Sequence, residues 1–182
     1  GNESGTVVTF DSGEGYAAAA ELVGFTITNG QASGGYPYFP GGGITCKSYS
    51  NPKLKNLIIS GNTSTTGGGI SLVGSNPQLI NVIISGNTAS TGGGLRCYEG
   101  SDPTLINVTF YGNTASSWGG AIQCQLGSDP ILVNSILWNN SPQEIYLSSN
   151  TSVNATYSDI QGGWSGTGNI DSDPFFVDGT NG

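Results

Sequence analysis

Four times along this chain a proline follows Asn or Asp, and each time the same residues come after it at the same distances. The pairs Asn51-Pro52, Asn76-Pro77, Asp102-Pro103 and Asp129-Pro130 lead to Leu54, Leu79, Leu105 and Leu132. Next come Asn56, Asn81, Asn107 and Asn134, then a second asparagine at 62, 87, 113 and 140. Every column advances by 25, then 26, then 27 residues. A Gly-rich phrase follows the second asparagine at 62, 87 and 113 and ends at Ile70, Leu95 and Ile122, with GGGI at 41–44 as an earlier copy. A unit this short cannot bury a core by itself, so the copies must stack.

The apolar segments inside each unit are short and β-rich: LIIS at 57–60, VIIS at 82–85, VTFY at 108–111. Gly, Asn or Pro bounds each of them, as expected of strands separated by turns. Leucine-rich repeats need an L-x-x-L-x-L frame that is absent, and helical repeats are longer and avoid dense glycine. Three strands per unit, each unit lying on the last at about 4.8 Å, describe a parallel β-helix. The expectation is an all-β solenoid with 25–27 residues per coil and roughly six coils. Residues 1–182 read as a single segment: irregular N-terminal coils over 1–50, regular repeats over 51–140, and a final coil with a C-terminal segment over 141–182.

Period two assigns the faces. Ile44, Ile70, Leu95 and Ile122 point inward, as do Cys46, Leu72, Cys97 and Cys124. Leu54 and Leu57 both face in, with a bend at Asn56 between them. Asn56, Asn81, Asn107 and Asn134 are expected to stack as a hydrogen-bonded ladder at that bend. Outward from the same face come Ile80, Ile83, Ile106, Val133 and Ile136. So many apolar residues on an outer face predict a cover: a loop, the C-terminal tail or a partner protein.

GFTITNG at 24–30, FYGN at 110–113, WGGAI at 118–122 and the closing YSDIQGGW with GNIDSDPFFVD (157–178) carry a resemblance. Over roughly residues 6–178 the chain resembles right-handed parallel β-helix repeat proteins of bacterial surfaces, including the GGAI and FxxN repeats of chlamydial polymorphic outer-membrane proteins. That resemblance implies a right-handed coil, an extracellular or cell-surface location, and a structural or adhesive role. TVVTF at 6–10 reads as a strand with no cap before it, so the expectation is either a fragment of a longer exported protein or open ends that meet other copies.

Composition narrows the chemistry. The net charge is −8, and four basic residues, Lys47, Lys53, Lys55 and Arg96, are too few for a nucleic-acid face. No apolar run is long enough for a membrane-spanning helix. There is no histidine, and the twelve carboxylates are scattered, with Glu3, Asp11, Glu14 and Glu21 early and Asp159, Asp171, Asp173 and Asp178 late. Polysaccharide lyases and hydrolases of the β-helix type need clustered carboxylates with basic partners, so catalysis is the weaker expectation. Asp102 and Asp129 share one column, a calcium candidate whose simpler role is the turn before proline; no other cofactor or metal is expected. Arg96 should face outward beside Ser71 and Gln123. Cys97 and Cys124 should be neighbours in the core, more simply as free thiols than as a disulfide. Sequons at Asn62, Asn107, Asn150 and Asn154 are explained as well by composition as by glycosylation.

Aromatics are the better lead for recognition. Ser60, Ser85, Tyr111 and Trp138 occupy one column, so the last two rings should be neighbours, with Tyr98 and Trp118 on the same or adjacent coils. Tyr98, Tyr111, Trp118 and Trp138 are therefore the candidate binding residues for a surface glycan or protein. The preferred function is a non-catalytic structural or adhesive segment, self-associating end to end or laterally into fibres. A carbohydrate-binding module and a polysaccharide-degrading enzyme are the alternatives.

Overall fold

The computed structural model describes residues 5–13, 20–35 and 38–177. Glu3, Glu14 and Asp178 lie outside the described residues. Strands pair in parallel and sort into three sheets. Sheet A stacks Val8–Asp11, Ile44–Lys47, Ile70–Val73, Leu95–Tyr98, Ile122–Cys124 and Ile145–Leu147. Sheet B takes the segments after each proline turn, including Gln78–Ser85 and Thr104–Tyr111. Sheet C holds Gln31–Ala32, Thr63–Thr66, Thr88–Thr91 and Thr114–Trp118.

Because sheet C has four strands among the described residues, four coils close on three sides there, not six; sheets A and B alone run further. The cause is local. Ile145 follows Asn140 after five residues, whereas Ile122 follows Asn113 after nine. The short SPQE stretch at 141–144 leaves room for a single bridge, Thr114 to Ser141, and Pro142 has no N–H to extend it.

The core is a set of columns with one side chain per coil. Leu54, Leu79, Leu105 and Leu132 stack in register and are fully buried, as are Ile59, Ile84, Phe110 and Leu137. Burying each such side chain contributes about 1.5–3 kcal/mol. Asn56, Asn81, Asn107 and Asn134 have φ near +50°, the left-handed conformation that asparagine tolerates. That one residue turns the strand through a corner, which is why Leu54 and Leu57 both point inward.

Side-chain ladders link the coils, four of them in the columns around the two asparagine positions and the proline turn, and a further one through Ser135 and Ser158. At the outer bend Asn81 Nδ2 donates to Asn56 Oδ1 (3.2 Å) and Asn107 Nδ2 to Asn81 Oδ1 (3.1 Å). Asn134 keeps the bend, but among the described residues its side chain makes no bond to Asn107. A second ladder, the better-protected one, runs inside through Asn62, Asn87, Asn113 and Asn140. The Oδ1 of Asn87, Asn113 and Asn140 each accepts from both the backbone N–H and the Nδ2 of the asparagine one coil earlier, at 2.8–3.1 Å, while Asn62 Oδ1 accepts the backbone N–H of Gly30 at 2.9 Å. The third ladder is exposed: Asn51, Asn76, Asp102 and Asp129 each accept the backbone N–H of the next coil. The fourth is the buried serine column before it, where Ser101 Oγ accepts from Ser75 N and Ser128 Oγ from Ser101 N.

Glu144 ends the inner ladder. Its carboxylate accepts the backbone N–H of Asn140 at 3.0 Å and Asn140 Nδ2 at 2.6 Å, standing where the next coil would place an asparagine oxygen. Burial raises its pKa above the ordinary carboxylate value, and the two bonds from Asn140 pull it partly back. The folded state therefore binds this proton more tightly than the unfolded chain. Its contribution is greatest below a pH of about 4.5 and is lost as pH rises through the raised value. Urea unfolding of wild type and Glu144→Gln across that range should show the wild type losing ground to the variant as pH rises. Glu144→Ala, which orphans a buried N–H, should cost about 1–3 kcal/mol at low pH and less as pH rises.

Candidate functional site

Period two puts Thr45, Ser71, Arg96, Gln123 and Tyr146 on the outer face of sheet A, one per coil in register. They should be wet, yet Arg96 is 2% exposed and Ser71 and Gln123 are 0% exposed. Two rings account for part of this. The Arg96 guanidinium sits in the angle between Phe39 and Tyr98, its carbon 4.2 Å from each ring centroid, and the rings meet at 4.9 Å. Its Nη2 donates to Gln125 Oε1 at 3.1 Å. Burial lowers its pKa to about 10.

Beside this column lies a cleft of about 360 Å³, at the small end of ligand pockets. Tyr38, Lys47, Ser48, Tyr49, Gly74 and Glu99 line most of it. Its origin is a difference of one residue between coils. Between sheet A and the serine ladder, the turn holds Ser48 and Tyr49 in one coil and Glu99 and Gly100 two coils later. The coil between them has Gly74 alone, which leaves a notch flanked by its longer neighbours. Tyr49 is 72% exposed and Tyr38 70%, and both line the cleft. Lys47 is held by Asp11 at 3.0 Å. With Gly13 N–H and Lys47 both bonding its carboxylate, Asp11 has its pKa pulled down to about 2.

The four aromatics picked from sequence occupy three places. Tyr98 belongs to the Arg96 corner. Trp118 stacks on Tyr146 at 5.5 Å, at the far end of the sheet A column. Tyr111 and Trp138 are register neighbours on sheet B, and Tyr111 meets Phe176 edge-on at 5.0 Å. The tail thus reaches that end of sheet B, but Ile58 and Ile83 beyond it remain 44–45% exposed. Ile80, Ile106, Val133 and Ile136 are partly covered on the same face. Asp102 and Asp129 serve the exposed ladder, and no group of residues able to hold a metal occurs among the described residues. Cys46, Cys97 and Cys124 are free and buried, and Cys97 and Cys124 are paired in register. Asn62, one of the sequons, is sealed in the inner ladder.

The parallel stack, its three sheets and its repeating turns agree with one finding by comparison: the family described as right-handed β-helix region matches residues 42–172. The chain belongs to that family. It matches no curated protein and no solved structure. Within the right-handed β-helix family, the fold serves enzymes and non-enzymes alike, so function has to be argued from this chain's own side chains.

Sequence reasoning missed the burial of Arg96, the Tyr38–Tyr49 cleft and the serine ladder. The last was legible, since Ser50, Ser75, Ser101 and Ser128 all stand two places before proline. The cleft left a trace in the spacing, where one coil is 25 residues long and its neighbour 26.

Proposed function

We propose that this chain is a non-catalytic structural and adhesive segment of an extracellular or cell-surface bacterial protein, a stiff rod that presents ligand contacts on its flanks. The observation that carries this reading is the commitment of the repeated polar residues to coil-to-coil bonding. The ladders take up the Asn, Asp and Ser columns, including Asp102 and Asp129. Side chains so used stiffen a stack and are not poised for proton transfer. The exposed strip around Ile58 and Ile83 supports lateral self-association.

The test pairs retention with turnover. Retention on immobilised polysaccharides or host surfaces without release of reducing ends or unsaturated uronate, with and without calcium, supports the reading. Turnover of any polysaccharide sinks it. Sedimentation that stays monomeric at every concentration removes the self-associating version.

A carbohydrate-binding module is the second reading, and the Tyr38–Tyr49 cleft favours it. Two exposed phenol rings offer flat apolar faces to a sugar, and Lys47, Ser48 and Glu99 offer hydrogen bonds beside them. Loss of one stacking ring is worth about 1 kcal/mol, or five- to tenfold in affinity. Tyr49→Ala should weaken glycan retention by that factor with an unchanged melting temperature, while Trp138→Ala leaves it intact. The opposite pattern on a glycan array would return the site to Tyr111 and Trp138.

A further inference from the structure

We propose that Arg96, Gln123 and Ser71 form a binding site for a small monovalent anion of the carboxylate class, on the outer face of sheet A. Among the described residues, six buried side-chain nitrogen or oxygen atoms have no hydrogen-bond partner. Five of the six belong to these three residues: Ser71 Oγ, Arg96 Nε and Nη1, and Gln123 Nε2 and Oε1. The sixth is Thr66 Oγ1. Buried polar groups are rarely left unmatched, and each costs about 1–3 kcal/mol when it is. Their gathering on three successive positions of one register column is not what scattered packing faults would produce.

Charge identifies the missing partner. Arg96 is a cation withdrawn from water, and the ion pairs among the described residues belong to lysines, Lys47 with Asp11 and Lys55 with Glu21. A buried charge needs a counter-charge and hydrogen bonds together. The unmet donors are the guanidinium Nε–H and Nη1–H, the Gln123 amide N–H and the Ser71 hydroxyl, a donor-rich set around one positive charge. One anionic charge balances one guanidinium; a doubly charged phosphate would bring a second that nothing here offsets. The rings of Phe39 and Tyr98 close over the guanidinium, which favours a small planar group such as a carboxylate. The site is independent of the adhesive reading, since it requires only the folded coil.

The probe is formate, with benzoate as a bulky carboxylate, titrated at constant ionic strength against sulfate. Wild-type protein should gain a saturable rise in melting temperature, on the order of 5–10 °C at a hundred times the dissociation constant. Arg96→Met should be more stable than wild type without formate, because an unpaired buried charge is gone, and should not respond to the anion beyond the general salt effect. The Nε–H resonance of Arg96 in wild type, followed by NMR, reads the same site even if the variant fails to fold. Formate alone shifting that resonance assigns a free anion as the occupant. Benzoate shifting it as well assigns a carboxylate borne on a larger molecule that displaces Phe39. An Nε–H signal unmoved by either, or equal anion dependence in wild type and variant, overturns the proposal.

Discussion

Asn113→Ala is expected to destabilise the fold by about 3–5 kcal/mol, lowering the melting temperature by on the order of 10 °C. Asn113 is fully buried in the middle of the inner ladder. Its Oδ1 accepts Asn87 N at 3.1 Å and Asn87 Nδ2 at 2.9 Å, and its Nδ2 donates to Ile84 O and Asn140 Oδ1, both at 2.8 Å. Alanine removes all four bonds and admits no water in exchange. The groups left behind on two neighbouring coils keep their desolvation cost, which is the larger part of the effect. Asn107→Ala is the control. It loses one exposed side-chain bond and strains a left-handed backbone position, for about 1–2 kcal/mol. Urea denaturation of both variants decides the matter; equal losses would mean that the inner ladder adds nothing beyond its neighbours.

Gly68→Ala should be at least as damaging, for a steric reason. A Cβ at residue 68 would lie 2.5 Å from Gly93 O and 2.7 Å from Thr88 O, both backbone atoms of the next coil. No flexible side chain can move aside, so the coils must separate at that corner and lose the bonds of the corner glycines, such as Gly68 N to Gly92 O at 3.0 Å. A loss above about 4 kcal/mol, or failure to fold, is expected. Gly86→Ala has a positive φ of 62° but nothing within 4 Å of its Cβ, so it should cost only about 1–2 kcal/mol. Soluble yield and denaturation midpoint separate the two cases. A Gly68→Ala protein as stable as Gly86→Ala would show that the close approach is not required.

These contrasts mark what could be read from residues alone. The stack, its inward columns and the bend at Asn56 follow from spacing and period two, because each repeats in every copy. Tyr111 beside Trp138 was legible for the same reason. Arg96 was assigned correctly to the outer face, but nothing in the spacing showed that it is buried there. Its cover comes from Phe39, in a stretch outside the repeat, and periodicity carries no information about where such a stretch lies. Phe176 against Tyr111 is the same kind of contact. The number of closed coils was overestimated because the SPQE stretch keeps the apolar columns in step while deleting one side of the triangle. The ladders were half visible: asparagine columns stand out, but which of them is buried depends on the direction of the chain at the bend.

The notch at Gly74 sits on a turn that no core column passes through. Its depth is set by the number of residues in that turn, while Leu72 and Leu79 on either side remain locked to their neighbours. A single-codon insertion or deletion there alters the rod's surface relief without disturbing its interior. The recognition proposed for this cleft would therefore be open to change by turn length, one coil at a time, which is a far shorter evolutionary step than rebuilding a pocket from substitutions.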